Sequence, residues 1–411
     1  MKHTKWSAAL VAVGLVAALG GCAQSTGNST PSGPITGQKL TILIGSSGDA
    51  ETAAVQSAAN AWGTKSGNTV SVVAASDLTQ QLSQGFAGGS PPDLFYMSWD
   101  QFATYASNGY LDSYAAGLPN ASGFYPALKD TFTYKSNFTC APKDFSTLGL
   151  IINTDMWKAA GLTAADVPTD WNSLEAAAKK LTTPTTVGLS FGLEYARAGV
   201  FMNQAGGKIV DGTKVTADSP QNLAGLEYIQ KLHTEGVLKW PSEISSGWSG
   251  EALGKGAAAM VIEGPWIKGV KKDYPNTNYQ AYELPAGPGG KSTFTFTNCW
   301  GIPQGSKTSA AAVDLVKYLT GDDQQLAFAD AFGVIPSTQT GAAAYAKKYP
   351  ENASFVAGND YAVSPVHFAG SATVITDFNA KLEGLIGGDA KSILASFQTN
   401  LQAALDTANS K

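Results

Sequence analysis

The chain has 411 residues and carries 27 lysines and arginines against 32 aspartates and glutamates, a net charge of −5. That length allows two domains of ordinary size. Arg197 is the only arginine. A mildly acidic chain without clustered basic residues argues against a nucleic-acid partner, because phosphate contacts need lysine and arginine.

The first residues predict an export signal over residues 1–21. Lys2 and Lys5 form a short basic start, residues 7–19 are small and apolar, and the letters LGGC end at Cys22. The apolar run is too short to span a bilayer. The closing letters resemble the bacterial lipobox, so we predict that a lipid on Cys22 anchors the protein to the extracellular face of the cell membrane. A plain signal peptide is the alternative. Residues 22–38 are uncharged and poor in large apolar side chains, which predicts a flexible tether.

The next segment alternates strands with helices. We predict strands over 39–44, 70–74 and 93–97, with helices over 50–65, 77–87 and 101–108. This order indicates parallel βαβ units and an α/β domain. Ligands of such sheets bind at the carboxyl ends of the strands, which lie in the loops after Ile44 and Met97.

A second α/β unit begins near Ser146. The periodicity of its side chains predicts elements in the following order: strand 148–152, helices 155–160 and 171–181, strand 186–193, helices 220–235 and 248–256, strand 257–263, helices 310–320 and 322–332, and a terminal helical run over 371–407.

Several short blocks together resemble bacterial sugar-binding proteins of ABC importers, of which the maltose-binding proteins are the best known. In chain order they are 92–100 (PDLFYMSWD), 105–111 (YASNGYL), 142–158, 168–171 (PTDW), 256–260 (GAAAM) with 264–266 (GPW), 284–288 (LPAGP) and 333–336 (GVIP). The likeness runs from about Lys39 to the C-terminus.

This resemblance implies a periplasmic-binding-protein-like α/β fold with two lobes, joined by crossover hinge strands, and a ligand cleft between them. We expect residues 39–140 and 299–345 to form the N-terminal lobe. Residues 141–298 and 346–411 are then the C-terminal lobe. The partners implied are a carbohydrate and the transmembrane permease subunits of an ABC importer, and we expect a monomer without a cofactor.

Sugars need flat aromatic surfaces for their C–H faces and carboxylates or amides for their hydroxyls. Trp266 resembles the tryptophan that stacks on sugar in the family, and Asp100 an aspartate that accepts sugar hydroxyls. Trp99 is adjacent to Asp100. Glu194, Tyr195 and Arg197 resemble a family segment that supplies a carboxylate and an aromatic ring, although Glu194 and Arg197 also have the spacing of a solvated ion pair.

Further candidates for the ligand site follow less distinctive signals. They are Asp49, Glu51, Gln81, Asp144, Trp240, Trp248 and His367. Asp49 and Glu51 also suit the first turn of a helix, and both tryptophans also suit packing. His367 lies where maltose-binding proteins carry a tryptophan, so the resemblance supports a sugar rather than maltose in particular.

Cys140 and Cys299 fall at the two crossovers, which run side by side in the resembled family. We therefore predict that they form a disulfide across the hinge, against the alternative of two buried thiols.

Three other functions compete with sugar binding. A glycosidase needs only two suitably spaced carboxylates, whereas no metal-ligand spacing occurs in the sequence. The same fold can also bind a peptide, metal, phosphate or polyamine, although clustered metal ligands are not seen in the sequence. A structural surface lipoprotein is the third alternative. We predict a binding protein, not an enzyme, and no metal site.

Overall fold

The computed structural model describes residues 31–410. The strands in chain order are β1 Lys39–Ile44, β2 Thr69–Ala74, β3 Leu94–Ser98, β4 Thr133–Tyr134, β5 Asn137–Phe138, β6 Ala141–Pro142, β7 Ser146–Thr147, β8 Gly149–Asn153, β9 Val187–Ser190, β10 Val210–Asp211, β11 Lys214–Val215, β12 Leu238–Lys239, β13 Ala258–Glu263, β14 Tyr279–Tyr282, β15 Thr293–Phe296, β16 Asn298–Gly301 and β17 Ala362–Val363.

The helices in chain order are α1 Asp49–Ser66, α2 Leu78–Ala87, α3 Trp99–Ser107, α4 Pro126–Thr131, α5 Thr154–Ala159, α6 Trp171–Leu181, α7 Tyr195–Gln204, α8 Pro220–Thr234, α9 Ser249–Gly254, α10 Val270–Asp273, α11 Ser309–Leu319, α12 Asp322–Phe332, α13 Gln339–Lys348, α14 Ala353–Gly358, α15 Ser371–Leu382 and α16 Ala390–Asn409.

The N-terminal lobe is built on a five-stranded sheet in the order β2-β1-β3-β16-β6. Strands β1, β2 and β3 run parallel, and β16 returns antiparallel to β3. Strand β3 is buried almost throughout, as expected of a parallel strand covered on both faces. Because β1 and β3 are neighbours, the loops that follow them meet at one edge of the sheet.

The C-terminal lobe has its own five-stranded sheet in the order β12-β9-β13-β8-β14. Its central strand β13 is buried at all six residues. This strand is parallel to β9 and antiparallel to β8. One face of this sheet packs on a core that includes side chains of α6, α7, α8, α15 and α16. The carboxyl ends of β9 and β13 therefore lie next to each other.

Two crossovers connect the lobes. The chain leaves the first sheet through β6 and continues into β7, and it returns through β15 into β16. Strand β6 pairs with β16, and β7 pairs with β15, so the two crossovers run side by side. Cys140 and Cys299 are joined by a disulfide at this point, with their Cα atoms 5.6 Å apart. The predicted hinge disulfide is confirmed.

A further cluster of buried apolar side chains joins the sheet of the C-terminal lobe to helices that follow the return crossover. Ile151 and Val261 of the sheet share this cluster with Ala342 and Tyr345 of α13. The predicted lobe boundary at residue 345 falls inside α13, Gln339–Lys348. Helix α13 thus shares apolar contacts with the second sheet.

The terminal helical run predicted over 371–407 is wrong in one respect, because it is divided into α15 and α16. The segment between them contains Gly384, Gly387 and Gly388. Gly387 has a φ of 78°, a left-handed conformation that glycine adopts without steric cost. The break lets α15 and α16 fold back on each other, and Phe378 stacks on Phe397 with ring centroids 4.0 Å apart.

Part of the predicted tether contacts the N-terminal lobe. The backbone N–H of Ser32 donates to the Ser309 hydroxyl at 2.9 Å, and its carbonyl accepts from the N–H of Ala310 at 3.1 Å. Further along, Asn68 accepts from the N–H of Gln38 and donates to the carbonyl of Ile35, both at 2.7 Å. These bonds hold residues 32–38 against the lobe. The predicted signal and Cys22 lie outside the described residues. No helix within residues 31–410 is long and apolar enough to cross a membrane.

Candidate functional site

A charged cluster lies at the carboxyl ends of β9 and β13. Glu263 ends β13, and Glu194 immediately precedes α7. The guanidinium of Arg197, on the first turn of α7, donates to Glu263 Oε2 at 2.7 Å and also pairs with Glu194. The single arginine of the chain is therefore held between two carboxylates.

Trp266 extends from this cluster toward solvent. Its indole Nε1–H donates to the same Oε2 of Glu263 at 2.7 Å, and the guanidinium carbon of Arg197 lies 6.0 Å from its ring centroid. A Cβ added at Gly264 would come within 2.2 Å of the ring, so the indole lies directly over that glycine. The side chain is nevertheless 42% exposed. Such a ring presents a free apolar face beside fixed carboxylates.

The N-terminal lobe contributes a second, buried charge network. Glu51, on the first turn of α1, accepts from the Tyr96 hydroxyl at 2.9 Å and from Ser47 N and Oγ at 2.8 and 2.7 Å. The ammonium of Lys143 lies 3.4 Å from Glu51 Oε1 and also pairs with Asp144. Lys143 and Asp144 belong to the first crossover, so this network ties the hinge to α1.

The carboxyl groups of these clusters titrate differently because their surroundings differ. Burial raises the pKa of Glu51, but the Lys143 charge and the Ser47 and Tyr96 donors outweigh it, leaving the pKa below its ordinary value. For Asp144 burial dominates over Lys143 and raises the pKa. Burial also raises the pKa of Glu263, against the opposing effect of Arg197.

A chain of contacts brings the two clusters near each other. The Lys143 ammonium lies 5.8 Å from the ring centroid of Phe332, the last residue of α12. The next residue, Gly333, has a φ of 82°, and a Cβ added there would lie 1.9 Å from the Nζ of Lys268. Lys268 is two residues beyond Trp266. These contacts thus run from the Lys143 network to the segment that carries Trp266.

Trp99 and Asp100 stand at the junction of the lobes. Trp99 packs against both the N-terminal and the C-terminal core, with its ring centroid 6.3 Å from that of Phe296 in the return crossover. Asp100 is half-buried and accepts a long bond of 3.5 Å from Gln101. Its carboxylate keeps most of its capacity to accept hydrogen bonds.

Other candidate residues take varied positions. Tyr195 is buried, and its ring contacts those of Phe294, Phe378 and Phe397 in the C-terminal core. Trp240 stacks on His233 with ring centroids 5.2 Å apart and meets Phe191 edge-on. Both rings thus have packing partners within their own lobe.

Four candidates remain nearer to the surface. Trp248 is 36% exposed and precedes α9. Asp49 is exposed at the start of α1. Gln81 donates to the Ser76 hydroxyl at 3.1 Å. His367 binds the carbonyl of Pro365 through Nδ1 at 2.8 Å.

A groove of about 810 Å³ lies between the lobes, apart from the Trp266 cluster. Phe102 and Tyr134 come from the N-terminal side, and Phe294 and Tyr361 from the other. Of the candidate residues, only Tyr195 and His367 line it. The groove and the surface beside Trp266 are therefore two candidate places for a ligand. The Trp266 region is the one that combines an exposed ring with fixed carboxylates.

Sequence reasoning missed Glu263, Lys143 and Tyr96. Glu263 ends an otherwise apolar strand two residues before Pro265, a position at which a carboxylate is costly without a partner. Lys143 follows directly after the hinge proline Pro142. The unusual placement of a charge was therefore a usable signal for both. Tyr96 gave no such signal in the sequence, because an aromatic residue inside a buried strand is ordinary.

No three His, Cys, Asp or Glu side chains in the described part of the chain are grouped so that they would hold a metal ion.

The sequence matches the family of bacterial extracellular solute-binding proteins over residues 57–356. A probable ABC transporter-binding protein of Deinococcus radiodurans is 28% identical over 293 residues, which cover 65% of this chain and 68% of that protein.

Three solved structures share the fold. An ABC substrate-binding protein of Listeria monocytogenes in complex with cycloalternan has a TM-score of 0.77 and 21% identity, over 90% of this chain and 99% of that one. The GacH receptor of Streptomyces glaucescens, solved unliganded and with acarbose, has a TM-score of 0.75 and 22% identity, over 90% and 98%. A cyclic α-maltosyl-1,6-maltose binding protein of Arthrobacter globiformis has a TM-score of 0.78 and 18% identity, over 90% and 99%.

Proposed function

Because the chain belongs to the family of bacterial extracellular solute-binding proteins, we propose that it captures a carbohydrate between its lobes and delivers it to an ABC importer. The observation that carries the carbohydrate assignment is the exposed ring of Trp266, held by Glu263 beside Arg197 and Glu194. Flat apolar surface next to hydrogen-bond acceptors is what sugar rings require.

The opposite wall is supplied by the N-terminal lobe. Asp100 offers a carboxylate with most of its acceptor capacity unused, and Trp99 adds aromatic surface at the junction of the lobes. A solute that contacts Trp266 on one lobe and Asp100 on the other gains more in the closed arrangement than in an open one. That difference in contacts is what shifts the balance toward closure.

Three relatives in fold bind oligosaccharides or the related compound acarbose, which supports a di- or oligosaccharide as the ligand class. Membership of the family supports delivery to the permease subunits of an ABC importer. Anchoring through a lipid on Cys22 is part of the same proposal. A Cys22→Ser variant expressed in a bacterial host is expected to appear in the medium or the soluble fraction, whereas the unchanged chain stays with the membrane.

The ligand is best identified by isothermal titration calorimetry with mono-, di- and oligosaccharides, using amino acids and peptides as controls. We expect an oligosaccharide to bind and Trp266→Ala to weaken it at least tenfold, since stacking and apolar contact are lost together. Binding of a peptide or amino acid without any sugar binding would keep the family and overturn the carbohydrate assignment.

A variant of the groove locates the ligand. Tyr134 and Tyr361 line the groove, so Tyr134→Ala serves as the counterpart of Trp266→Ala. We expect sugar binding to survive in Tyr134→Ala. If Tyr134→Ala abolishes binding and Trp266→Ala leaves it intact, the sugar occupies the groove and the placement beside Trp266 is wrong.

A further inference from the structure

Glu263 carries a charge at an unusual place. The other five residues of β13 are apolar and buried, and Glu263 itself is only 3% exposed, opposite Gly149 of the neighbouring strand. A carboxylate removed from water in this way is costly unless it is paired and hydrogen-bonded. The partners of Glu263 must therefore offset the cost of burying its charge.

Besides its hydrogen bond with Ser249, Glu263 has two partners that donate to one and the same oxygen. Oε2 accepts from the Trp266 indole Nε1–H and from the Arg197 guanidinium, each at 2.7 Å. Hydrogen bonds to a charged acceptor in a poorly solvated site are stronger than neutral ones and more selective in direction. The indole is thereby fixed at its polar edge.

The remaining contacts restrict the same ring from other sides. Gly264 leaves room for the indole directly over the backbone, and Arg197 lies 6.0 Å from the ring centroid. Arg197 is itself held by Glu194, and its Nε is a buried nitrogen without a hydrogen-bond partner. One face of a large, exposed side chain is thus held in a set orientation.

We propose that Glu263 is a positioning residue, which acts on the solute only through Trp266 by fixing the plane of the indole ring. This inference rests on the proposed function for its effect on sugar binding, but not for its effect on the ring. An exposed tryptophan without such a partner samples several rotamers, and selecting one of them on binding reduces affinity. Fixing the ring in advance removes that cost.

The first test needs no solute. The full chain is labelled with 5-fluorotryptophan, and the ¹⁹F resonance of Trp266 is assigned by its loss in Trp266→Phe. We expect this resonance to shift and broaden in Glu263→Ala. A smaller shift is expected in Glu263→Gln, because an amide oxygen still accepts from the indole. An unchanged resonance in both variants would overturn the proposal.

A matched control is available in Glu243, which is also three residues from a tryptophan. Glu243 accepts from the backbone N–H of Trp240 at 2.7 Å and bonds to His233, but has no contact with Trp266. Glu243→Gln is expected to leave the Trp266 resonance unchanged. A change in this control equal to that in Glu263→Gln would show that the resonance reports general loosening, and the proposal would fail.

The second test measures solute affinity in a double-mutant cycle. Maltotetraose, or the sugar identified by calorimetry, is titrated into wild type, Glu263→Ala, Trp266→Ala and the double variant. Glu263→Ala is expected to weaken binding about tenfold, and to add no further loss once Trp266 is absent. Additive losses would mean that Glu263 acts on the solute by another route. If Glu263→Ala does not fold, Glu263→Gln replaces it.

The two tests separate the proposals. A change in the Trp266 resonance without binding of any sugar to wild type would sustain the positioning role of Glu263 and overturn the proposed function. Sugar binding to wild type together with an unchanged Trp266 resonance in the Glu263 variants would sustain the proposed function and overturn the positioning role of Glu263.

Discussion

The ammonium of Lys143 lies 3.4 Å from Glu51 Oε1 and joins the first crossover to the first helix of the N-terminal lobe. Both side chains are less than a tenth exposed, and Asp144 pairs with the same ammonium. One cation therefore balances two buried carboxylates beside the hinge. This arrangement makes the stability of the N-terminal lobe depend on a single lysine.

Lys143→Met is expected to lower the free energy of unfolding by about 3 kcal/mol, because removal of one member leaves buried charges uncompensated. Urea unfolding at pH 7 measures this change. Lys179→Met is a suitable control, since Lys179 makes comparable ion pairs at the surface, half exposed, and such pairs contribute about 0–1 kcal/mol. Equal effects of the two substitutions would contradict the account of the hinge network.

The same network predicts a dependence on pH. The pKa of Glu51 is lowered in the folded state, so its contribution to stability is present above the ordinary value of 4.5 and is lost as the pH falls through the folded pKa. Asp144 opposes this, because its raised pKa favours the folded state at low pH. Comparison of the stability of wild type with that of Glu51→Gln between pH 3 and 7 isolates the contribution of Glu51. The stability difference between them is expected to shrink below pH 4.5, and a difference that grows there would contradict it.

Loss of the hinge disulfide is expected to destabilise the protein by about 4 kcal/mol, because Cys140 and Cys299 are 159 residues apart and the bond closes a long loop in the unfolded chain. The double variant Cys140→Ala/Cys299→Ala and wild type treated with dithiothreitol are compared by urea unfolding. Both are expected to show the same lower midpoint. If the reduced protein is as stable as the oxidised one, the crossovers are held by packing alone.

Trp240 and Trp266 are expected to respond in opposite ways to substitution by leucine. Trp240 stacks on His233 and packs against the C-terminal core, so Trp240→Leu lowers the melting temperature and leaves sugar affinity unchanged. Trp266→Leu weakens binding with little effect on melting, because its ring is exposed. Thermal unfolding and calorimetry on both variants decide this. Weakened sugar binding in a folded Trp240→Leu variant would instead place Trp240 in the site.

The charges beside the cleft predict selectivity against acidic sugars. The carboxylates beside the cleft, those of Glu51, Asp100, Asp144, Glu194 and Glu263, outnumber the three cations Lys143, Arg197 and Lys268. Lys143 and Arg197 each already have two carboxylate partners. If maltotetraose binds, its aldonic acid is expected to bind about fivefold more weakly at low salt, corresponding to about 1 kcal/mol of repulsion. The difference in affinity between the two sugars becomes smaller in 1 M salt, because charges are then screened beyond about 3 Å. Tighter binding of the acid would show an unpaired cation in the site.

The pattern of the longer strands and helices was mostly readable from the sequence, because side-chain periodicity reports which face of each element is buried. Five of the six elements predicted between residues 39 and 108 differ from the observed ones by one or two residues at their ends, and the strand over 39–44 is the same. The paired Cys140 and Cys299 followed from a resemblance that placed the crossovers together. Trp266 and Asp100 followed from motif blocks of the same resemblance.

Helix α7 was missed because its sequence is rich in residues without a clear apolar period, and it begins at the same Tyr195 that we expected in the cleft. That ring packs among Phe294, Phe378 and Phe397, which come from a crossover and the two terminal helices, and it also lines the groove. Which face of an aromatic residue meets solvent depends on elements that are remote in the chain.

The sequence alone therefore determined the fold class, the order of the first six elements and the residue types suited to a sugar, since these depend on local periodicity and motif. Only the tertiary structure decided which charges meet. Glu51 and Lys143 are 92 residues apart, and Arg197 and Glu263 are 66 apart. Local pattern carries no information on such pairs, because their distance is set by strand order and by the packing of helices against the sheets.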